Sequence, residues 1–376
     1  MSVLPQLQQE LSAAHARRRR RRRPRLGFGF GGASVALAGA VALAVVVVAV
    51  ALVHGRSPER TAGSPTIVYR GFADDFYAAG GSLYAITSDQ PEGSPLVGEP
   101  PHLVRVDPGS GRVVARQSLA PPPTSQGQPV PAPQRLLLAA GSLWATASDS
   151  QQTWLWRLDP RSLKVRSLSL VPGGGAGVYS GSLAVAGGWL WVVNRNTLVH
   201  VSPTTGRVAG SRTFSRSQVG LGNGVAADQS GRTLVLTVMG ATRGTHVELL
   251  NPVTGVPIAS SAKFSGVTPQ LGGVLDGGAW IDSLAFAGGP VRLDLRTLKV
   301  TTRLGRAALP GLVFDGVVTA NGSGGWRCVD PVTGRPLARI PTLVAAEGTT
   351  AYVQTKRGAI PEISRVTLDP RCLATP

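Results

Sequence analysis

The sequence is short of cysteine, lysine, aromatics and charge, and each shortage narrows the reading. Two cysteines in 376 residues rule out a disulfide-dense scaffold and a multi-cysteine zinc module. Aromatic residues make up 5% of the chain and charged residues 15%, too little charge for a disordered polyelectrolyte. Only four of the 38 basic residues are lysines, Lys164, Lys263, Lys299 and Lys356, so the positive charge is almost all arginine. What is abundant is turn chemistry: 48 Gly and 29 Pro argue against a helical bundle and for many short strands joined by turns. The formal net charge of +18 is unevenly placed. Residues 1–26 hold eight arginines (Arg17–Arg23 and Arg25) against Glu10, so this short segment supplies +7 and the rest of the chain +11. The overall charge is therefore no argument for nucleic acid, and no nucleic-acid partner is expected.

The longest gap in charge runs from Gly27 to Val53. Twenty-seven uncharged residues, ending in an almost pure Ala/Leu/Val run, can cross a hydrocarbon core of ~30 Å. The arginine run precedes this segment, while Arg56, Glu59 and Arg60 after it nearly cancel. The positive-inside rule then puts residues 1–26 in the cytoplasm and everything beyond the span outside. A cleaved signal peptide with Ala49-Val50-Ala51 as its site is the rival, but its apolar region would normally run ~7–15 residues. The expected organisation is a cytoplasmic Arg-rich segment (1–26), a single transmembrane helix (27–53), a linker (54–65) and an extracytoplasmic domain (66–376). The expected location is the cell membrane.

Beyond the linker one phrase recurs. A short apolar run meets a Gly turn, then a second run with Trp or Tyr, a variable loop, a third run ending near Asp-Pro, and a basic residue opening a fourth run. Examples are GSLYAIT (81–87) with LVRVDPGSGRVV (103–114), and LLLAAGSLWATA (136–147) with WLWRLDPRSLKV (154–165). The turn anchors are Asp107, Asp159, Ser202, Asn251, Asp294, Asp330 and Asp369. Their mean spacing is ~44 residues, and a period of ~40–50 residues with four short strands is the signature of propeller blades. The fold class read from this is all-β, a seven-bladed β-propeller of four-stranded blades preceded by one transmembrane α-helix.

The repeats GSLWATA…LWRLDP and GGWLWVV…LVHVSPTTGRV resemble the bacterial YVTN-type, quinoprotein-like propeller repeat over nearly all of residues 66–376. The resemblance implies a fold, and with it a surface binding or scaffolding module for a protein or envelope polymer. Propeller lyases, hydrolases and quinoprotein dehydrogenases share the architecture, so an enzyme acting on a small extracytoplasmic substrate is the alternative.

Catalytic signals are thin. The ectodomain histidines His102, His200 and His246 fall in three different blades and read as strand or loop residues. No G-x-S-x-G elbow or P-loop is present, and no catalytic residue, cofactor or metal is assigned. Acids in the first hairpin turns of blades four to seven (Asp228, Asp276, Asp315 and Glu347) read as turn residues, with a cation-binding ring as the sharper alternative. A ligand is expected at the opposite mouth, among loops 88–101, 119–134 and 171–181. The polar groups assigned there are Asp149, Asn194, Arg195, Arg243, Lys356 and Arg357.

Two further expectations concern how the ring is held. Cys328 and Cys372 lie in consecutive blades and can pair if their Cα atoms come within ~7 Å, which sequence leaves open. Blade seven has no room for its own fourth strand, ending six residues past its Asp-Pro turn. Thr66–Arg70 (TIVYR) meanwhile reads as a strand without a blade. The amino-terminal strand is therefore predicted to complete blade seven.

Overall fold

The computed structural model describes residues 66–71, 73, 75–87, 102–119, 135–148, 153–173, 182–194, 196–214, 224–239, 244–265, 270–282, 290–304, 309–314, 317–322, 325–356 and 361–373. The expected transmembrane segment lies outside these residues. Among the described residues no helix is long and apolar enough to cross a membrane. The propeller belongs to a compact unit running from Thr61 to Pro376.

The strands form seven antiparallel sheets, one per repeat. Blade one is Asp75–Ala79, Ser82–Thr87, His102–Asp107 and Arg112–Ser118. Blade two is Arg135–Ala139, Ser142–Ser148, Thr153–Leu158 and Val165–Val171. Blade three is Leu183–Ala186, Trp189–Asn194, Thr197–Val201 and Val208–Thr213. Blade four is Val225–Ala227, Leu234–Met239, Gly244–Leu250 and Pro257–Ser260, with Phe264–Ser265 pairing back onto its third strand. Blade five is Gln270–Leu275, Gly278–Asp282, Val291–Asp294 and Val300–Arg303. Blade six is Leu309–Phe314, Val317–Gly322, Gly325–Val329 and Pro336–Arg339. Blade seven contributes Thr342–Glu347, Thr350–Lys356 and Glu362–Thr367, and its fourth strand is Thr66–Arg70. Thr66 stands opposite Arg365 and Arg70 opposite Glu362. The ring thus closes on the amino-terminal strand as predicted, and the first strand of each blade touches that of the next all the way round.

The core is distributed because each second strand is buried on both faces. Leu83 and Ala85 pack toward blade seven with Val68, Tyr352 and Ile363, while Tyr84 and Ile86 pack toward blade two with Leu143, Trp156 and Leu163. Period-two alternation gives the same split elsewhere, with Leu190 and Val192 toward blade two and Trp191 and Val193 toward blade four. Seven apolar clusters result, one at each blade junction. This is how a chain too long for one growing core stays packed.

One docking device recurs at these junctions. The turn between third and fourth strands folds over the second-strand residue of the preceding blade. A Cβ on Gly206 would lie 3.6 Å from Trp144 Cη2, and one on Gly255 would lie 2.7 Å from Trp191 Cη2. Gly334 stands in the same relation to Trp280. All three glycines have positive φ, so an L side chain there is opposed by backbone strain as well as space. At two junctions where the preceding blade carries a smaller side chain, leucine takes the turn position. Leu163 fills the space beside Tyr84, and Leu298 packs in the cluster containing Val235. Hydrogen bonds reinforce the docking: Trp191 Nε1 donates to Pro252 O at 3.2 Å and Tyr84 Oη to Pro160 O at 3.1 Å. At the junction of blades six and seven Thr319 stands opposite Cys328, and a disulfide joins Cys328 to Cys372 with Cα atoms 5.5 Å apart.

Candidate interaction surface

The loops expected to form the ligand mouth fall largely outside the described residues, and Asp149, Arg195, Arg243 and Arg357 lie outside them entirely. Lys356 ends its strand, and its side chain is outside the described set. Asn194 is placed, and its position differs from an exposed mouth group. It is fully buried, its Nδ2 donates to Val171 O (2.9 Å) and Pro172 O (3.2 Å), and its Oδ1 accepts from Thr153 Oγ1 (2.9 Å). Those bonds stitch blade three to the third strand of blade two and to the end of its last strand. An amide at a strand end between packed blades has its polar atoms satisfied by the neighbouring backbone, a role sequence position alone does not distinguish from a loop residue.

The hairpin acids do not converge. Asp228 accepts from Ser230 Oγ and from the N–H groups of Arg232 and Thr233 within its own turn. Glu347 reaches across the closing junction, both carboxylate oxygens accepting from Gly81 N–H in blade one at 3.2 and 3.1 Å. Asp276 sits in a turn with φ of +48°, and Asp315 lies outside the described residues. Among the described residues no group of three His, Cys, Asp or Glu side chains is placed to hold a metal ion.

The histidines are structural neighbours of different kinds. His200 sits between Trp189 and Trp191, with ring centroids 5.1 and 5.0 Å away, and burial holds its pKa below the usual imidazole value. His246 and Glu248, two apart in one strand, share a face. His246 Nε2 lies 3.5 Å from Glu248 Oε1, while Arg212 of blade three reaches Glu248 Oε2 at 3.3 Å and stacks over Phe214 at 4.5 Å. The sequence reading missed this cluster. Its signal was the H-x-E spacing, which in a strand puts both side chains on one side.

The anchor residues of the repeat cap their turns. Asp107 accepts from Gly109 N–H and Ser110 Oγ, Asn251 from the N–H groups of Val253 and Thr254, and Asp330 from those of Val332 and Thr333. Donors aimed at the carboxylates hold the acids below the ordinary carboxylate value, Asp159 furthest. The leading donor is the Ser110 hydroxyl for Asp107, the Ser162 N–H for Asp159, the Thr297 hydroxyl for Asp294 and the Thr333 N–H for Asp330. These acids are ionised and committed to the turn, which suits them for holding backbone and not for moving protons.

What faces solvent is a cationic rim. The six fourth strands of blades one to six contain Arg112, Arg116, Arg166, Arg212, Arg303 and Arg339, and no acid. The residue opening that strand, or just before it, is basic and exposed in five blades: Arg112, Lys164, Arg207, Lys299 and Arg335. In blade four it is Val256. There Val253, Val256 and Ile258 are 54%, 57% and 63% exposed. Beside them a cleft of about 450 Å³ opens between blades four and five, with Ile258 on one wall and Arg232, Arg296, Asp276 and Asp294 among its lining.

No protein-family model and no curated protein sequence matches the chain. Solved structures do. A chain of the mitotic checkpoint complex is similar over 83% of this chain and 96% of its own, at 12% identity and a TM-score of 0.53. The Dos1 propeller is similar over 81% and 88%, at 14% identity and a TM-score of 0.50. BamB from Moraxella catarrhalis aligns over 81% and 86%, at 13% identity and a TM-score of 0.45. The first two similarities, at these identities, speak to the propeller fold alone.

Proposed function

We propose that the chain is a membrane-tethered propeller that acts outside the cytoplasm as a binding and scaffolding module for an anionic protein or envelope polymer. The observation that carries this reading is the rim, where fourth strands from five blades carry arginines and no acid of their own, Arg166 and Arg212 among them pairing with Asp159 and Glu248. Such a surface attracts and orients a polyanion by summed charge, without a pocket. The disulfide between Cys328 and Cys372 supports an oxidising compartment. The charge-free run from Gly27 to Val53 behind eight arginines supports a single-pass anchor with its amino terminus inside.

The test uses polyglycerol phosphate as the anionic probe and residues 61–376 as the protein. Wild type should bind the immobilised probe, weakening steeply as salt rises toward the ~8 Å screening length of physiological ionic strength. Replacing Arg112, Arg116, Arg303 and Arg339 together by Glu should weaken binding at least about tenfold. Equal binding by the two proteins would refute the rim as the recognition surface.

A further inference from the structure

We propose that the blade-four sector of the rim is a self-association surface, on which a second copy of this chain docks. The outer strand of every propeller blade is a sheet edge, and natural edges are protected by charge. Blades one, two, three, five and six carry that protection at the start of the outer strand, as Arg112, Lys164, Arg207, Lys299 and Arg335. Exposed aliphatics occur on some of these edges too, Val113 and Val114 between Arg112 and Arg116 and Val165, Leu168 and Leu170 beside Lys164 and Arg166, but those edges keep their charge. Blade four departs from the pattern where its outer strand begins and along the strand. Pro257–Ser260 contains no charged residue, and the turn leading into it offers Val253 and Val256. Val253, Val256 and Ile258 are the three most exposed large apolar side chains among the described residues. Adjacent aliphatics at that exposure mark a contact surface, because solvated they gain nothing for the fold.

Charge selects the occupant. Bringing two copies together through any of the five basic edges sets cation against cation. Two outer strands open without a cation: blade seven's Thr66–Arg70, whose Arg70 pairs with Glu362 and whose one exposed aliphatic is Ile67, and blade four's, which offers a cluster of them. The neighbouring cleft adds complementarity, since Arg232 and Arg296 share it with Asp276 and Asp294. Neither guanidinium has an ion pair among the described residues. A two-fold contact uses the same patch on both partners, so a lining with two cations and two anions can set each sign against its opposite. Within the blade, Ser261 N–H donates inward to Val247 O, so alternation turns the backbone groups of Ser260 outward, toward a docking strand. A patch centred on three aliphatic side chains supports a weak dimer, in the micromolar range.

Sedimentation equilibrium on residues 61–376, from about 1 to about 100 µM, reads this directly. Wild type should shift from monomer to dimer across the range. Val256→Lys with Ile258→Lys gives blade four the charge the other edges carry and should remain monomeric, with an unchanged melting temperature because both side chains are exposed. Arg335→Glu, on a distant edge, should leave the dimer intact. Ser260→Cys should yield an inter-copy disulfide under mild oxidation, while a cysteine at Arg207 should not. A wild type that stays monomeric throughout overturns the proposal, and so does a Lys variant that dimerises equally well. A photocrosslinker at position 258 that captures a different protein while wild type stays monomeric assigns the surface to that partner instead.

Discussion

The bond between Cys328 and Cys372 offers a sharp test of how this ring is held. It stands, at the junction of blades six and seven, where Trp and Gly dock at three other junctions, and both cysteines are buried. The two lie 44 residues apart, so the bond closes a loop containing all three of blade seven's own strands. The chain-entropy relation for a loop of that length predicts about 4 kcal/mol of stabilisation, a large share of the ~5–15 kcal/mol of a typical domain. For a propeller of ~310 residues that corresponds to a drop of about 6 °C in melting temperature on removal. The perturbation is Cys328→Ala with Cys372→Ala, compared with oxidised wild type by urea titration and by thermal melting. Unfolding wild type in the presence of reductant gives a second measure that leaves the core atoms in place. If oxidised and reduced protein differ by less than about 1 kcal/mol, the loop-closure reasoning fails and the clusters on either side of blade seven hold it without the bond.

Two further outcomes follow from ring closure and from the turn acids. Val68 is buried in the cluster joining blades seven and one, whereas its neighbour Ile67 is 41% exposed. Val68→Ala should cost about 2 kcal/mol and Ile67→Ala under about 0.5 kcal/mol in urea midpoints, and equal effects would contradict the closure geometry. The turn acids Asp107, Asp159, Asp294 and Asp330 have folded pKa values below their unfolded ones. The stability they contribute is complete above the unfolded carboxylate value near ~4 and is lost as pH falls through the folded values. Asp159→Asn retains the cap acceptor, as Asn251 does naturally, but loses the ionised pairing with Arg166. Its urea midpoint should therefore fall less steeply than wild type's between pH 4 and the acid limit, and an identical pH slope would sink the assignment.

Much of this architecture is determined by local sequence, because each blade is a short-range object. Hairpin glycines, Asp-Pro caps and strands apolar on both faces lie within tens of residues of one another, so period and turn chemistry were enough to count seven blades. Ring closure was legible for the same reason: blade seven visibly lacked a strand and Thr66–Arg70 lacked a blade. What tertiary structure decided are the contacts between blades. The pairing of Gly206 with Trp144 and of Leu163 with Tyr84 is a volume match between residues tens of positions apart, visible only once one blade's turn lies over the preceding blade's strand. Asn194 reads as a loop polar group in sequence and becomes a buried stitch because blade two's last backbone carbonyls happen to meet it. The blade-four surface was hidden likewise. Val256 is unremarkable as one more valine, and gains meaning only where a ring sets its position beside five basic ones. Local chemistry builds each blade, but exposure and complementarity belong to the assembled ring.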